Sequence, residues 1–579
     1  MVQDDIESES SWFKDTDDGP PPGRRQPGVA KKGTGAQVSV TVDERQPLVG
    51  SADDEEVVLA RWRGRWVFPA WLLMCFSTGP TYSMMRSFVP ASLQTIAHEL
   101  GHPKARPGAR CRPRGDDCYI YVGRTEVQFS AYVLYMRALY TSIEGLIAIV
   151  LMGLADFSNY RKWLMALSIV IYGALATPFV GLQAKTYSTL IGMSVLYCLM
   201  LCCNTIYTIT EGSYIPVFMD MARMAAAREV ADSTKANVAA SVETRTVAEP
   251  VNPMLRRGAK VSVLGLIMGN LGSILAVLIG IIITYSRGKP QAEGYSAFLL
   301  TITIAGCMTM VLGSIAALGI PAVHGSPFPF DPQENKLVTI FKFPFRRFMH
   351  ILRDLTHYRE ALKYVVAWVL WNIAYSNFMQ LFQLSFRATL GSAADKEYFV
   401  WQLMTSVIAC VGSLTWMAVF RHFSAQRTLH AQTRLLKLCL YIMMVVGVIV
   451  NLWGSLGASA RVPIGFKHRW EFWLFQVIYV STSSAIRSLN RVAYSAMLPV
   501  GRENQYFGLE IMLGLATGWS QSLLVSVIQD RTGNARFPYI PNTVLLLVSL
   551  VFYYWSDLSR GMLAAGKAEL HRHVAQDAS

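Results

Sequence analysis

The stretch from Phe472 to Leu509 reads FWLFQVIYVSTSSAIRSLNRVAYSAMLPVGRENQYFGL. A long apolar helical run carries two arginines, Arg487 and Arg491, four positions apart and therefore on one face. The run breaks at Leu498-Pro499, turns through Gly501-Arg502-Glu503 and starts a second apolar run. A charged side chain at a bilayer centre costs about 2.5–3.5 kcal/mol on insertion scales. Two such residues on one face therefore point toward a polar cavity or a partner, away from lipid.

Composition extends that reading to the whole chain. Of 579 residues, 52% are hydrophobic and only 16% are charged, which fits an all-α polytopic membrane protein and not a soluble one. The net charge of +14 is the excess of Lys and Arg that membrane proteins keep in cytoplasmic loops, so no nucleic-acid partner is expected. The nine cysteines make no zinc pattern. No nucleophile triad, metal cluster or phosphate loop is visible, so neither an enzyme nor a cofactor is expected. Cys111 and Cys118 share one polar loop, where a lumenal setting would favour a local disulfide.

Outward from the opening stretch, twelve apolar spans divide six and six around a central loop. The expected units are a disordered cytosolic tail over 1–62 and an N-terminal six-helix bundle over 63–320 with a cytosolic insert at 220–260. A basic, amphipathic central loop over 321–360 follows, then a second six-helix bundle over 361–558 and a cytosolic tail over 559–579. Both termini then lie in the cytosol, and the larger share of the 53 Lys and Arg falls on that side.

Span one is read as ending near Pro90, with Arg86 close enough to its end to snorkel to the interface. Span two carries Arg137 and Glu144, seven apart on one face: a packing charge pair, or a gate or proton-coupled site. Span five has Gly265, Gly269 and Gly272, whose spacing lets a neighbouring helix approach closely. Span seven holds the polar set Asn372, Ser376, Asn377, Gln380 and Gln383. A 6+6 plan is that of a secondary transporter with a site between paired bundles.

The last third carries a specific resemblance. Arg491-Val492-Ala493-Tyr494-Ser495, the Pro499-Val500-Gly501-Arg502-Glu503 turn and Phe507-Gly508-Leu509 resemble the signature of the fungal autophagy-related protein 22 family, vacuolar amino-acid effluxers of the major facilitator superfamily. Asp530-Arg531-Thr532-Gly533-Asn534-Ala535-Arg536 is similar to that family's Asp-x-Thr-Gly-Asn-x-Arg. Phe88-Val89-Pro90, His98-Glu99-Leu100-Gly101 and Tyr214-Ile215-Pro216 fit two of its span boundaries. The chain departs from it in span seven, where Trp371-Asn372-Ile373-Ala374 replaces the usual Phe-Asn-Asp-Gly.

The resemblance implies a multi-pass vacuole membrane protein that exports amino acids to the cytosol after autophagic breakdown. Arg137, Glu144, Arg487 and Arg491 are the candidate path residues: a guanidinium can hold a solute carboxylate, and Glu144 an amino group or a proton. Gly501, Arg502 and Glu503 form a candidate gate, or a static helix-end turn. In the tail, the string Asp43-Glu44-Arg45-Gln46-Pro47-Leu48-Val49 resembles an acidic dileucine sorting signal, with Glu44, Leu48 and Val49 at its key positions, and implies a sorting adaptor as partner. The alternatives are a major facilitator transporter of another small solute and a transport-inactive membrane scaffold.

Overall fold

A computed structural model describes residues 66–104, 111, 118–155, 160–212, 214, 218, 253–286, 294–321, 336–391, 394–424, 429–498 and 503–564. Helix α1 (Val67–Ser83) passes through one π-helical turn, Met84–Phe88, into α2 (Val89–Leu100). Pro90 sits in the first turn of α2, where its missing N–H breaks no hydrogen bond. The first span therefore runs on to Leu100, well past the boundary read at Pro90. Arg86 falls inside the helix, half-buried and bonded to Tyr82, and not near its end as the sequence reading had it.

A two-stranded antiparallel hairpin follows, β1 (Tyr119–Val122) and β2 (Thr125–Gln128), turning at Gly123 with φ +65°. The sequence reading missed it, because four-residue strands are too short to show a period. The expected disulfide joins Cys111 to Cys118, with Cα atoms 5.7 Å apart, at the foot of the hairpin.

The hairpin leads into α3 (Phe129–Ala155), then α4 (Tyr160–Ala176), α5 (Tyr187–Gly212), α6 (Pro253–Ser286) and α7 (Gly294–Gly319). Helix α8 (Lys336–Leu355) occupies the central loop. The second half holds α9 (Arg359–Leu390), α10 (Asp395–Ser424), α11 (Leu429–Leu456), α12 (Arg469–Ala496), α13 (Glu503–Thr532), α14 (Tyr539–Trp555) and the short α15 (Leu558–Ala564). The buried Glu471 carboxylate fixes the start of α12, accepting the backbone N–H groups of Gly465 at 3.2 Å and Lys467 at 2.7 Å.

Among the described residues, seven helices are long and apolar enough to cross a membrane, or up to eight if α14 and α15, bent by 58°, form one span. The polar helices α9, α12 and α13 fall outside that set. Asn372, Asn377, Gln380 and Gln383 on α9, and Arg487, Asn490 and Arg491 on α12, dilute their apolar character.

First-half helices pack on one another, α1 against α6 and α7, and α4 against α5 and α7. Second-half helices do the same, α9 and α11 against α14, and α10 against α12. The halves meet where α3 lies along α13 and α6 along α10. The glycine stripe of α6 does what its spacing implied. A Cβ on Gly272 would stand 2.2 Å from the Phe76 carbonyl oxygen of α1, and one on Gly79 would stand 2.0 Å from that of Gly269. Ser273 donates to the Gly79 carbonyl at 2.9 Å across the same contact.

Residues 1–62, with Glu44, Leu48 and Val49, lie outside the described residues, as does most of the 220–260 insert; from Pro253 that insert is already helix α6.

The α1–α6 contact yields the first prediction. Gly79→Ala is expected to destabilise by about 1–3 kcal/mol, because the atoms it meets are backbone and cannot rotate away. Gly192→Ala on α5, with nothing within 4 Å, is the control and should be neutral or stabilising. Thermal unfolding of both purified variants in detergent checks it; an unchanged midpoint for Gly79→Ala would mean that the helices are not this close.

Candidate functional site

The bundle has two distinguishable ends. One carries the hairpin, the α9–α10 connection and the end of α13. The other carries α8. Hydrogen bonds between first-half and second-half transmembrane helices gather at the hairpin end and between it and the bundle's middle.

The outermost set joins β2 and α3 to α13. The Asp530 carboxylate accepts the backbone N–H of Gln128 at 2.9 Å and the hydroxyl of Tyr135 at 3.4 Å. The Gln128 side chain donates to the Gly533 carbonyl at 3.2 Å, and Gln529 donates to the Ser130 hydroxyl at 2.6 Å. Gly533, at φ +65°, ends α13 with its N–H on the Gln529 carbonyl at 2.9 Å. The Asp530–Asn534 string is thus the helix stop that the sequence implied, and Asp530 is also a latch, which it did not.

A second set joins α1 and α2 to α9 and α10. Arg387 donates to the Ala91 carbonyl and, at 3.0 Å, to the Thr95 hydroxyl. The Ser87 hydroxyl donates to Gln402 at 3.0 Å and accepts from Gln383 at 3.2 Å, while the Tyr398 hydroxyl donates to the Ser87 carbonyl at 3.0 Å. Phe88 and Phe298 pack on Phe399, ring centres 4.5 and 5.1 Å away. The cleft among Gln94, Gln380, Arg387 and Tyr398 has no room for a solute.

Deeper, one arginine from each half reaches α9, and a third lies against α1. Arg137 of α3 donates through Nη1 to the Gln380 side-chain oxygen, while its Nε and the Gln380 amide nitrogen have no protein partner. Arg86 donates to the Tyr82 hydroxyl at 2.7 Å and lies 5.3 Å from that ring's centre, within electrostatic reach of Tyr375 on α9 and Tyr197 on α5. Arg487 of α12 donates to the Asn372 side-chain oxygen at 3.3 Å and lies 5.7 Å from the centre of the Tyr375 ring. Tyr375 is held by stacking on Trp371 at 5.0 Å and on Tyr479 at 5.8 Å.

The packing charge pair, one of the two readings of Arg137 and Glu144, does not form among the described residues. Glu144 is buried and accepts the Thr205 hydroxyl of α5 at 2.8 Å. Seven residues of helix separate the two by about 10 Å along the axis, and each side chain takes the nearer partner on another helix. The side chain of Arg491 lies outside the described residues, as do Gly501 and Arg502; Glu503 is the first residue of α13. Arg86, Arg387 and Asp530 are the members that sequence reasoning missed. The usable signal for each was a charged residue within or at the end of an apolar helix.

The guanidinium and side-chain amide groups gathered here are of the chemical kind that binds a small polar or carboxylate-bearing solute. The family profile described as "Vacuole effluxer Atg22 like" matches residues 63–566. The chain is 43% identical over 529 residues to autophagy-related protein 22 of Candida albicans, covering 91% of this chain and 96% of that protein. It is 22% identical over 505 residues to the protein of the same name from Kluyveromyces lactis, covering 85% and 93%. Among solved structures it is similar to a POT family transporter in complex with 5-aminolevulinic acid, with TM-score 0.52, 13% identity, and 84% and 96% of the two chains covered. It is also similar to the E. coli xylose transporter XylE in a partially occluded inward open conformation, with TM-score 0.51, 9% identity, and 84% and 96% covered. At such identities the likeness is one of fold, the all-α polytopic fold of the major facilitator type.

The Asp530 latch makes a second prediction. Asp530→Ala removes the acceptor for both Gln128 and Tyr135 and should loosen the hairpin end. A reporter cysteine at Gln94, buried in the hairpin-side cleft, should then react several-fold faster with a maleimide applied from that side. Equal labelling with and without Asp530 would show that the latch does not hold the halves together.

Proposed function

The chain belongs to the vacuole effluxer Atg22-like family, and on that premise we propose that it exports amino acids from the vacuole lumen to the cytosol, returning the products of autophagic breakdown. Membership makes it a multi-pass vacuolar transporter of small molecules and not an enzyme. The proposed architecture is twelve spans in two six-helix bundles, over 63–320 and 361–558, with the tails, the 220–260 insert and the 321–360 loop on the cytosolic side. The hairpin end is then lumenal, a side on which the Cys111–Cys118 disulfide persists.

The observation that carries the reading is that Arg137 and Arg487, one from each half, each reach a neutral amide of α9, with Arg86 on the α1 phenol of Tyr82. A solute carboxylate offers such a guanidinium a stronger, charge-assisted pair than a neutral amide does. With the hydrogen bonds between halves gathered at the lumenal end, this is the state that delivers a solute to the cytosol; breaking the Asp530 and Arg387 contacts while the other end closes gives the state that loads it. Arg137, Glu144, Arg487 and Arg491 line the path in this reading, and Gly501, Arg502 and Glu503 form the cytosolic gate. Glu44, Leu48 and Val49 supply a signal for a sorting adaptor. The second reading, transport of another small solute, is favoured by one feature: Ile373 stands where the family's span-seven motif has Asp.

Isolated vacuoles loaded with labelled amino acids test the proposal. Release through Arg487→Ala should fall at least about tenfold, the loss of one charge-assisted contact of roughly 1.4 kcal/mol or more, with vacuolar targeting unchanged by imaging. Correctly targeted wild type that releases no more than vacuoles lacking the protein would transfer the reading to another solute.

A further inference from the structure

The charged groups around α9 are unbalanced in sign. Arg86, Arg137 and Arg487 bring three guanidinium charges, and Glu144 brings one carboxylate. None of the three arginines forms an ion pair with a described residue; their partners are a phenol, two amide oxygens and aromatic rings. Arg86 and Arg137 feel each other's charge, and both feel Glu144 only at a distance. Arg86 comes from the first half and Arg487 from the second, and both act on Tyr375, so the positive field spans the junction that a solute must cross.

Charges away from water act over longer distances and more strongly than on a surface. A focused field of one sign raises the local concentration of the opposite sign and repels its own. A cationic amino acid carries its α-carboxylate and α-amino group like any other, plus one further positive charge, for which the described carboxylates on the helices that carry or face the arginines are Glu144 and, beside Asn490, Glu510. An acidic amino acid carries a second carboxylate, with a second guanidinium for it.

Resting on the efflux reading above, we infer that the central site selects by net charge. It accepts carboxylate-bearing solutes of net charge zero or below, acidic amino acids included, and rejects cationic ones. Arg86 sets the sign of the field, and its charge matters more than its shape. Specificity here is rejection by an uncompensated like charge, in addition to attraction of the favoured solute.

The test uses the purified full-length protein in proteoliposomes loaded with labelled leucine, glutamate or lysine. Leucine and glutamate should leave at comparable rates, and lysine at least about tenfold more slowly. Arg86→Gln should narrow the leucine-to-lysine ratio several-fold, whereas Arg86→Lys, which keeps the charge, should preserve it; because the readout is a ratio within one preparation, partial loss of folded protein does not affect it. Lysine leaving as fast as leucine would overturn the selectivity and leave efflux standing. Leucine leaving while glutamate does not would overturn the acidic arm. No release of any of the three would sink the efflux reading and this inference with it.

Discussion

The hydrogen bond from Arg137 to Gln380 joins helices 243 positions apart in the chain and ties the two halves at mid-depth. A buried guanidinium must be met by polar groups from elsewhere in the bundle, since lipid offers none. That constraint explains why α9 is so polar: Asn372 serves Arg487, Gln380 serves Arg137, Gln383 serves Ser87, and Asn377 accepts the Ser522 hydroxyl of α13 at 3.0 Å. It also explains why α9 is less apolar than α6 and α11, which are long and apolar enough to cross a membrane. The helix is built to satisfy neighbours and not to face lipid.

Around this polar seam, packing is set by the smallest side chains. Gly79, Gly269 and Gly272 let α1 and α6 approach to backbone contact, while Gly173 and Gly306 do the same for α4 and α7. Without a hydrophobic force between helices in a membrane, such close approach supplies the association through dispersion and short polar contacts. Each half can then move as a block, and the breakable contacts are left to the junction. The junction has links of that kind, single hydrogen bonds such as Asp530 to Gln128 and ring contacts such as Phe88 on Phe399.

Long features were legible in the sequence and short or three-dimensional ones were not. Long apolar runs showed where the long helices lie, though only seven of them, or up to eight, are long and apolar enough to cross a membrane among the described residues; the glycine stripe showed the α1–α6 contact, and the cysteine pair its disulfide. The Arg487 face was readable because a charge inside an apolar run is conspicuous in one dimension. The Arg137–Glu144 pair was misread because same-face spacing says nothing of which neighbouring helix is closer; Gln380 and Thr205 won. Arg86 was misplaced because the first helix continues through a π-turn that no residue pattern announces. Asp530 looked like a helix stop, and is one, but its second role depends on Gln128, a residue 402 positions away.

A static scaffold would resolve its intramembrane charges in ion pairs, because an unpaired one costs about 2.5–3.5 kcal/mol at the bilayer centre on insertion scales. Among the described residues, the three arginines have neutral partners, and Arg137 retains a donor with no described protein partner. Glutamine, asparagine and tyrosine hold a guanidinium in place without cancelling its charge, so a solute carboxylate can still compete for it. An acidic partner in the same place would hold the arginine more tightly and shut the solute out. The amides along α9 thus leave the guanidinium charges uncancelled, and the aliphatic Ile373, where the span-seven motif has Asp, adds no carboxylate beside them.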